Sequence, residues 1–258
     1  MQFVCQNCGY VSLKWLGKCP SCGEWNTFIE EAISKKKEEK EFKKPIPLPL
    51  SKKEEDIRIK IDFFELDRIF GGGIVKGGYY LLGGEPGIGK STLLLQIGNI
   101  LAEKGYKVLY VSGEESPSQI KMRAERLNIN SENIFLMCEN DIEGIKEGIK
   151  EIKPNIVIID SIQTIYSQNF ASSPGSITQI RECGGEILRL TKENEIITFV
   201  IGHVTKTGEI AGPKALEHMV DAVFYLEGEE TGNFRILRSV KNRFGNVNEI
   251  GIFEMTDK

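Results

Sequence analysis

No run in this chain approaches the ~18 consecutive apolar residues of a transmembrane helix. The first residues also lack the apolar stretch of a secretory signal peptide. The sequence therefore predicts a chain that stays out of the membrane, with the cytoplasm as its expected location. An excess of positive charge is missing too. Lys and Arg total 33 against 37 Asp and Glu, a net charge of −4. That balance argues against indiscriminate binding to nucleic acid and confines any polyanion site to a local patch. The six cysteines in 258 residues are too few for a disulfide framework in a chain of this length. Four are clustered near the start. Cys138 and Cys183 stand alone and read as small buried apolar residues. With 40% apolar residues, the composition suits one large folded domain, or a medium domain with appendages.

The clustered cysteines form two matching half-sites, Cys5-x-x-Cys8 and Cys19-x-x-Cys22, separated by ten residues. Glycine follows each pair, as Gly9 and Gly23, which suits a tight turn around a metal. Four thiolates at this spacing suit tetrahedral Zn²⁺ and leave no open ligand position for catalysis. A redox dithiol or a pair of disulfides is the competing reading, and the symmetry of the two half-sites favours zinc. A module this short cannot bury much core, so metal binding is expected to supply much of its folding free energy, on the order of 10 kcal/mol. Trp15 and Trp25 are expected to pack against the knuckle. After residue 30 the composition breaks. Lys35 to Lys40 is mixed charge and Pro45-Ile-Pro-Leu-Pro49 resists helix and strand, so residues 31–56 read as a linker between a finger (1–30) and a larger domain (57–258).

In that larger domain Gly84-Glu85-Pro86-Gly87-Ile88-Gly89-Lys90-Ser91 fits Gly-x-x-x-x-Gly-Lys-Ser/Thr, the phosphate-binding loop of nucleoside triphosphatases. An apolar strand, Tyr79–Leu82, precedes it. A helical pattern follows, with Leu93, Leu94, Ile97 and Leu101 on one face. Glycines let the backbone amides wrap a phosphate chain, Lys90 would reach the β- and γ-phosphates, and Ser91, followed by Thr92, would hold Mg²⁺. Further strands are expected at Val108–Val111, Ile134–Met137, Ile156–Asp160 and Ile196–Gly202. Helices are expected at Ser91–Lys104, Ser118–Leu127, Ile142–Lys153 and Ile177–Glu193. The alternation predicts an α/β fold with a mainly parallel sheet. Ala222–Leu226 and Phe234–Val240 flank a Gly-rich turn and read as an antiparallel extension.

Ligands in such sheets gather at the carboxyl ends of the strands. Asp160 ends an apolar strand and is placed to hold Mg²⁺. Glu114 and Glu115 follow another strand. Either carboxylate could polarise an attacking water, and the pair could equally be a helix-start feature favoured by the helix dipole. His203 ends the strand Ile196–Gly202 and is a candidate γ-phosphate sensor or link to the following loop.

Together these features resemble the bacterial RadA (Sms) family of RecA-superfamily DNA repair ATPases. The resemblance spans nearly the whole chain. It rests on the four-cysteine finger, Glu65-Leu-Asp-Arg-Ile-Phe-Gly-Gly-Gly73, the phosphate loop, Ser112-Gly-Glu-Glu-Ser116, Gly202-His-Val-Thr-Lys206 and Ala211 to Asp221. Its most specific element is Lys241-Asn242-Arg243-Phe244-Gly245. The resemblance implies a RecA-like core and a homo-hexameric ring, similar to DnaB-type helicases, that uses ATP and Mg²⁺ to move on single-stranded DNA and acts on branched intermediates, with a recombinase as a candidate partner. It implies Glu114 rather than Glu115 as the water-activating carboxylate, and Lys241 and Arg243 as cations supplied to the neighbouring subunit's γ-phosphate. DNA contacts are expected from a mobile loop at Gln168 to Arg181 and from Lys206 to Lys214, with Arg181, Lys206 and Lys214 as candidate phosphate ligands. Family members carry, beyond the region covered here, a C-terminal domain resembling the Lon protease domain. A RecA-like regulatory ATP switch or kinase that ignores DNA is the alternative function.

Overall fold

The computed structural model describes residues 2–31, 45, 47, 48, 58–203, 215–228 and 232–256. The expected linker, apart from Glu31 and three isolated positions, and the segment 204–214 lie outside the described residues.

The first module is a small antiparallel sheet of β1 (Gln2–Cys5), β2 (Val11–Ser12) and β3 (Phe28–Glu31), in the order β2-β1-β3. Its core is little more than Cys5, Cys19 and Phe28, as expected for a module too short to bury many apolar side chains.

The larger region opens with β4 (Arg58–Ile59), α1 (Phe64–Ile69) and β5 (Ile74–Val75), where β4 and β5 form a two-stranded ribbon. Strands and helices then alternate: β6 (Tyr79–Gly84), α2 (Lys90–Glu103), β7 (Val108–Ser112), α3 (Pro117–Arg126), β8 (Ile134–Cys138), α4 (Ile142–Ile152), β9 (Ile156–Asp160), α5 (Ile177–Glu193) and β10 (Ile197–His203). Three strands close the fold: β11 (Ala222–Gly228), β12 (Phe234–Asn242) and β13 (Ile250–Glu254). One eight-stranded sheet results, in the order β13-β12-β11-β6-β10-β9-β7-β8. It is parallel from β8 through β11 and antiparallel at β12 and β13.

The central strands are apolar throughout because both faces of the sheet are covered. Tyr80, Leu82, Val108, Tyr110, Ile156, Ile158, Phe199 and Ile201 face one core with Leu94, Ile97 and Leu101 of α2 and Ile120 of α3. Tyr79, Leu81, Leu109, Val111, Val157, Ile159 and Val200 alternate to the other face, against Ile142, Ile145 and Ile149 of α4 and Ile180, Cys183 and Ile187 of α5. Among the described residues no helix is long and apolar enough to cross a membrane.

Two expectations fail here. Cys183 is buried, but Cys138 is exposed. It ends β8, the edge strand of the sheet, where no further strand among the described residues covers it, and its thiol donates to the Glu115 carbonyl at 3.4 Å. Trp15 and Trp25 do not pack into the knuckle; they are 54% and 66% exposed.

Candidate functional site

The phosphate loop leaves the carboxyl end of β6, between β10 and β11, and α2 then crosses to β7 beyond β9. This is a topological switch point, where open α/β sheets leave a crevice for ligands. Gly84 has φ +151°, and a Cβ there would lie 2.5 Å from the Leu226 carbonyl oxygen, so the turn out of the strand admits only glycine. Glu85, Pro86 and Gly87 are exposed, Ile88 and Gly89 half-buried, and Gly89 is the N-cap of α2. Arg235 of β12 donates Nε to the Ile88 carbonyl at 3.2 Å, tying the loop to the antiparallel extension.

Lys90 is buried beneath this loop, with Nζ 2.8 Å from the carbonyls of both Gly84 and Glu85. Burial pulls its pKa down to about 8, against the opposing pull of the Asp160, Glu114 and Glu85 charges. Lys90, Ser91, Thr92, Glu114 and Asp160 line one cleft of about 340 Å³ together with Arg123, Arg126 and His203. A more apolar cavity of about 350 Å³, bordered by Phe63, Leu93, Phe253 and Met255, shares Gly89 and Thr92 with it.

Asp160 is buried at the end of β9 and accepts a hydrogen bond from the Tyr110 hydroxyl at 2.6 Å. Both glutamates after β7 line this cleft, with different partners. Glu115 pairs with Arg123 of α3, and its amide is held by Ser112 Oγ at 3.0 Å. Glu114 Oε1 accepts from Ser161 Oγ at 2.5 Å and lies 3.2 Å from His203 Nε2. Ser116 caps α3 through a capping box with Gln119, and Pro117 occupies the first turn. Ser161 and Tyr110 escaped sequence reasoning because neither side chain has a local pattern: each acts on a carboxylate placed there by another strand.

Lys241 and Arg243 lie at the other end of the sheet. Ala222 pairs with Asn242 and sits beside Tyr80 near the start of β6. Lys241 Nζ donates to the carbonyls of Glu217 and Val220 at 2.6 and 2.8 Å, and burial, with Arg243 beside it, lowers its pKa. Arg243 Nη1 is 3.3 Å from the Asp221 carboxylate. That carboxylate also accepts from the Tyr79 amide at 3.0 Å and from Lys192 Nζ at 2.5 Å. Five residue steps of β6 separate Tyr79 from Gly84, roughly 17 Å at 3.3 Å each, so Arg243 is out of reach of its own phosphate loop. The rest of the pentapeptide is structural. Phe244 packs 5.7 Å from the Tyr80 ring. Gly245 lies against Gly71 so closely that a Cβ on it would be 2.6 Å from the Gly71 Cα. Arg58 clasps both turns through the carbonyls of Gly71, Gly73 and Phe244.

The four cysteine sulfurs lie within 4.8 Å of one another, with Cys5–Cys22 at 3.7 Å and Cys8–Cys19 at 3.4 Å. A disulfide would need about 2.05 Å, whereas a tetrahedron of 2.3 Å metal–sulfur bonds has edges of about 3.8 Å. The cluster therefore fits a four-thiolate metal site. Burial raises the Cys5 pKa, but hydrogen bonds from Thr27 and nearby backbone amides outweigh it and bring the thiol to about 6, while burial drives Cys8 to about 12.

Of the expected DNA contacts, Lys206 and Lys214 lie outside the described residues. Arg181 is exposed and donates Nη1 to the Cys8 carbonyl at 3.2 Å. The loop before it is pinned rather than loose. Buried Gln179 accepts from the Ser167 amide at 2.8 Å and donates to the carbonyls of Ser167, Phe170 and Ser172 at 2.9–3.1 Å.

A phosphate loop at the switch point, an acidic strand end beside it and antiparallel strands beyond define a RecA-like ATPase domain behind a four-cysteine ribbon. Comparison with known proteins agrees. The KaiC profile matches residues 59–257 and the Rubredoxin metal binding domain profile residues 3–30. The chain belongs to the KaiC family of ATPases, which makes ATP hydrolysis its enzymatic class. It is 50% identical to the DNA repair protein RadA of Bacillus subtilis (strain 168) over 266 residues, covering 100% of this chain and 58% of that protein. It is 53% identical over 258 residues to the DNA repair protein RadA of Chlamydia muridarum (strain MoPn / Nigg), covering 98% and 57%. The chain thus spans somewhat more than half the length of these relatives. Among solved structures, an ATPase domain of another protein shares the fold, with a TM-score of 0.61 at 17% identity over 74% of this chain and 85% of that one.

Proposed function

We propose that this chain is the metal-ribbon and motor portion of a DNA repair ATPase whose hydrolysis is stimulated by single-stranded DNA. The half-identity to RadA proteins over the full chain supports the repair setting. The observation that carries the catalytic reading is the cleft in which Lys90, Asp160 and Glu114 converge.

In this reading the backbone amides from Gly84 to Gly89 and the α2 N-terminus cradle the phosphates, and Lys90 leaves the loop carbonyls for the β- and γ-phosphates. Ser91 and Asp160 hold Mg²⁺, with Thr92 alongside; the ion would neutralise developing phosphate charge. Glu114, oriented by Ser161 and His203, takes the proton of the attacking water. The apolar cavity beside Gly89 and Thr92 offers room for the base. Lys241 and Arg243, out of reach of their own loop, serve the loop of a neighbouring copy, which a head-to-tail ring supplies. The four thiolates hold Zn²⁺. Residues 1–30, 31–56 and 57–258 are read as ribbon, linker and motor. DNA, including branched forms, meets Arg181, Lys206 and Lys214, and a recombinase is a candidate partner.

ATP turnover measured with and without single-stranded DNA tests the reading. A severalfold rise on adding DNA is expected. Turnover indifferent to DNA would reject the motor and favour a regulatory ATP switch.

A further inference from the structure

The chain has two tryptophans, both on the four-cysteine module and both more than half exposed. A small module that leaves its largest side chains in solvent forgoes burial it can ill spare. The two rings border one patch: a Cβ at Gly17 would lie 3.7 Å from Trp15 Cη2 and 3.9 Å from Trp25 Cζ3. Backbone pairing fixes the arrangement. Lys18 and Trp25 form an antiparallel bridge, and the Asn26 amide donates to the Gly17 carbonyl at 2.8 Å. Lys18 Nζ lies 5.5 Å from the Trp25 ring centre, and exposed Lys14 precedes Trp15. Arg181 meets this module at the Cys8 carbonyl, 3.2 Å away.

We propose that Trp15 and Trp25 form a stacking platform for unpaired bases of single-stranded DNA, with Lys14 and Lys18 taking the adjoining phosphates. The inference rests on the DNA reading above and assigns the ribbon its part in it. Aromatic faces interleaved with cations match the chemistry of single strands, whose bases offer π-faces and whose backbone offers negative charge. Val11 and Leu13 are also exposed on this module, and a protein that buries them with the indoles is the competing occupant.

Because both tryptophans sit on this module, their emission reports on it alone. The full chain is titrated with a dye-labelled oligothymidylate while dye anisotropy and tryptophan emission are recorded together. Quenching that saturates with the anisotropy curve, and is reversed by salt, is expected. Trp15→Ala and Trp25→Ala should each weaken binding roughly tenfold, while Trp25→Phe retains most of it. Lys18→Ala should lower the salt slope. Each variant should keep its bound metal and its DNA-free ATP turnover, which checks folding. Full DNA binding with silent tryptophans overturns the platform and spares the DNA reading. No anisotropy change overturns both. Emission that responds to a recombinase but not to the oligonucleotide assigns the face to a protein and also overturns the proposal.

Discussion

Arg243 and Asp221 are joined twice: the guanidinium lies 3.3 Å from the buried carboxylate, and the Arg243 amide donates to the Asp221 carbonyl at 3.0 Å. Asp221 in turn is bound to the Tyr79 amide at the base of the strand that carries the phosphate loop. The side chain of Arg243 remains 58% exposed, anchored yet available to another molecule. On the proposed role in a neighbouring site, Arg243→Ala should lower kcat by about 10³-fold or more, the range of arginine fingers, with nucleotide affinity changed little. Asp221→Asn should lower kcat less and also reduce the melting temperature, because Lys192 and Arg243 lose their shared counter-charge. Steady-state kinetics, nucleotide titration and thermal melting separate the two effects.

The acidic pair makes a second comparison. Glu114→Gln should reduce turnover by about 10²–10⁴-fold while nucleotide still binds. Glu115→Gln should leave turnover near normal and cost about 1 kcal/mol of stability, since its half-buried partner is Arg123. Turnover measured for both variants decides between them; equal losses would reject the division of labour.

Lys90 gives a pH signature. Its pKa is depressed to about 8 from the usual 10.5, so between those values the unfolded chain holds more protons than the folded one. The Lys90 contribution to stability therefore rises with pH across that window. Melting curves of the wild type should show this rise relative to Lys90→Met. Nucleotide binding supplies negative charge and should restore the proton, giving an uptake of about half a proton at pH 8. Calorimetry in buffers of different ionisation enthalpy measures it.

Metal content is directly measurable. Elemental analysis should find one zinc per chain and no iron. A strong chelator should unfold the ribbon and change tryptophan emission, while nucleotide binding by residues 58–256 survives.

The parallel core was readable in sequence because strands covered on both faces appear as unbroken apolar runs, and β9 is bounded where it was expected, at Ile156–Asp160. The antiparallel hairpin was readable from its Gly-rich turn. β13 was not, because it buries Gly251 but leaves Ile250 and Ile252 exposed, a pattern without an apolar signal. Nor were the short ribbon of β4 and β5, the exposed end of the edge strand at Cys138, or the tryptophans left outside the ribbon. These depend on what lies alongside in space. The same holds in the cleft: the phosphate loop and Asp160 carry local patterns, whereas Ser161 and His203 meet Glu114 only because three strands end together.

The proposal of a site completed by a neighbouring copy is tested most directly by mixing. Lys90→Ala chains lack a working phosphate loop but carry Arg243; Arg243→Ala chains carry the loop but lack the proposed finger. With ATP analogue and single-stranded DNA present, mass measurement first identifies conditions under which the chains assemble. Under those conditions mixed assemblies should hydrolyse ATP well above the sum of the separate variants. Mixed assemblies that remain as inactive as their components would contradict a site completed by a neighbouring subunit.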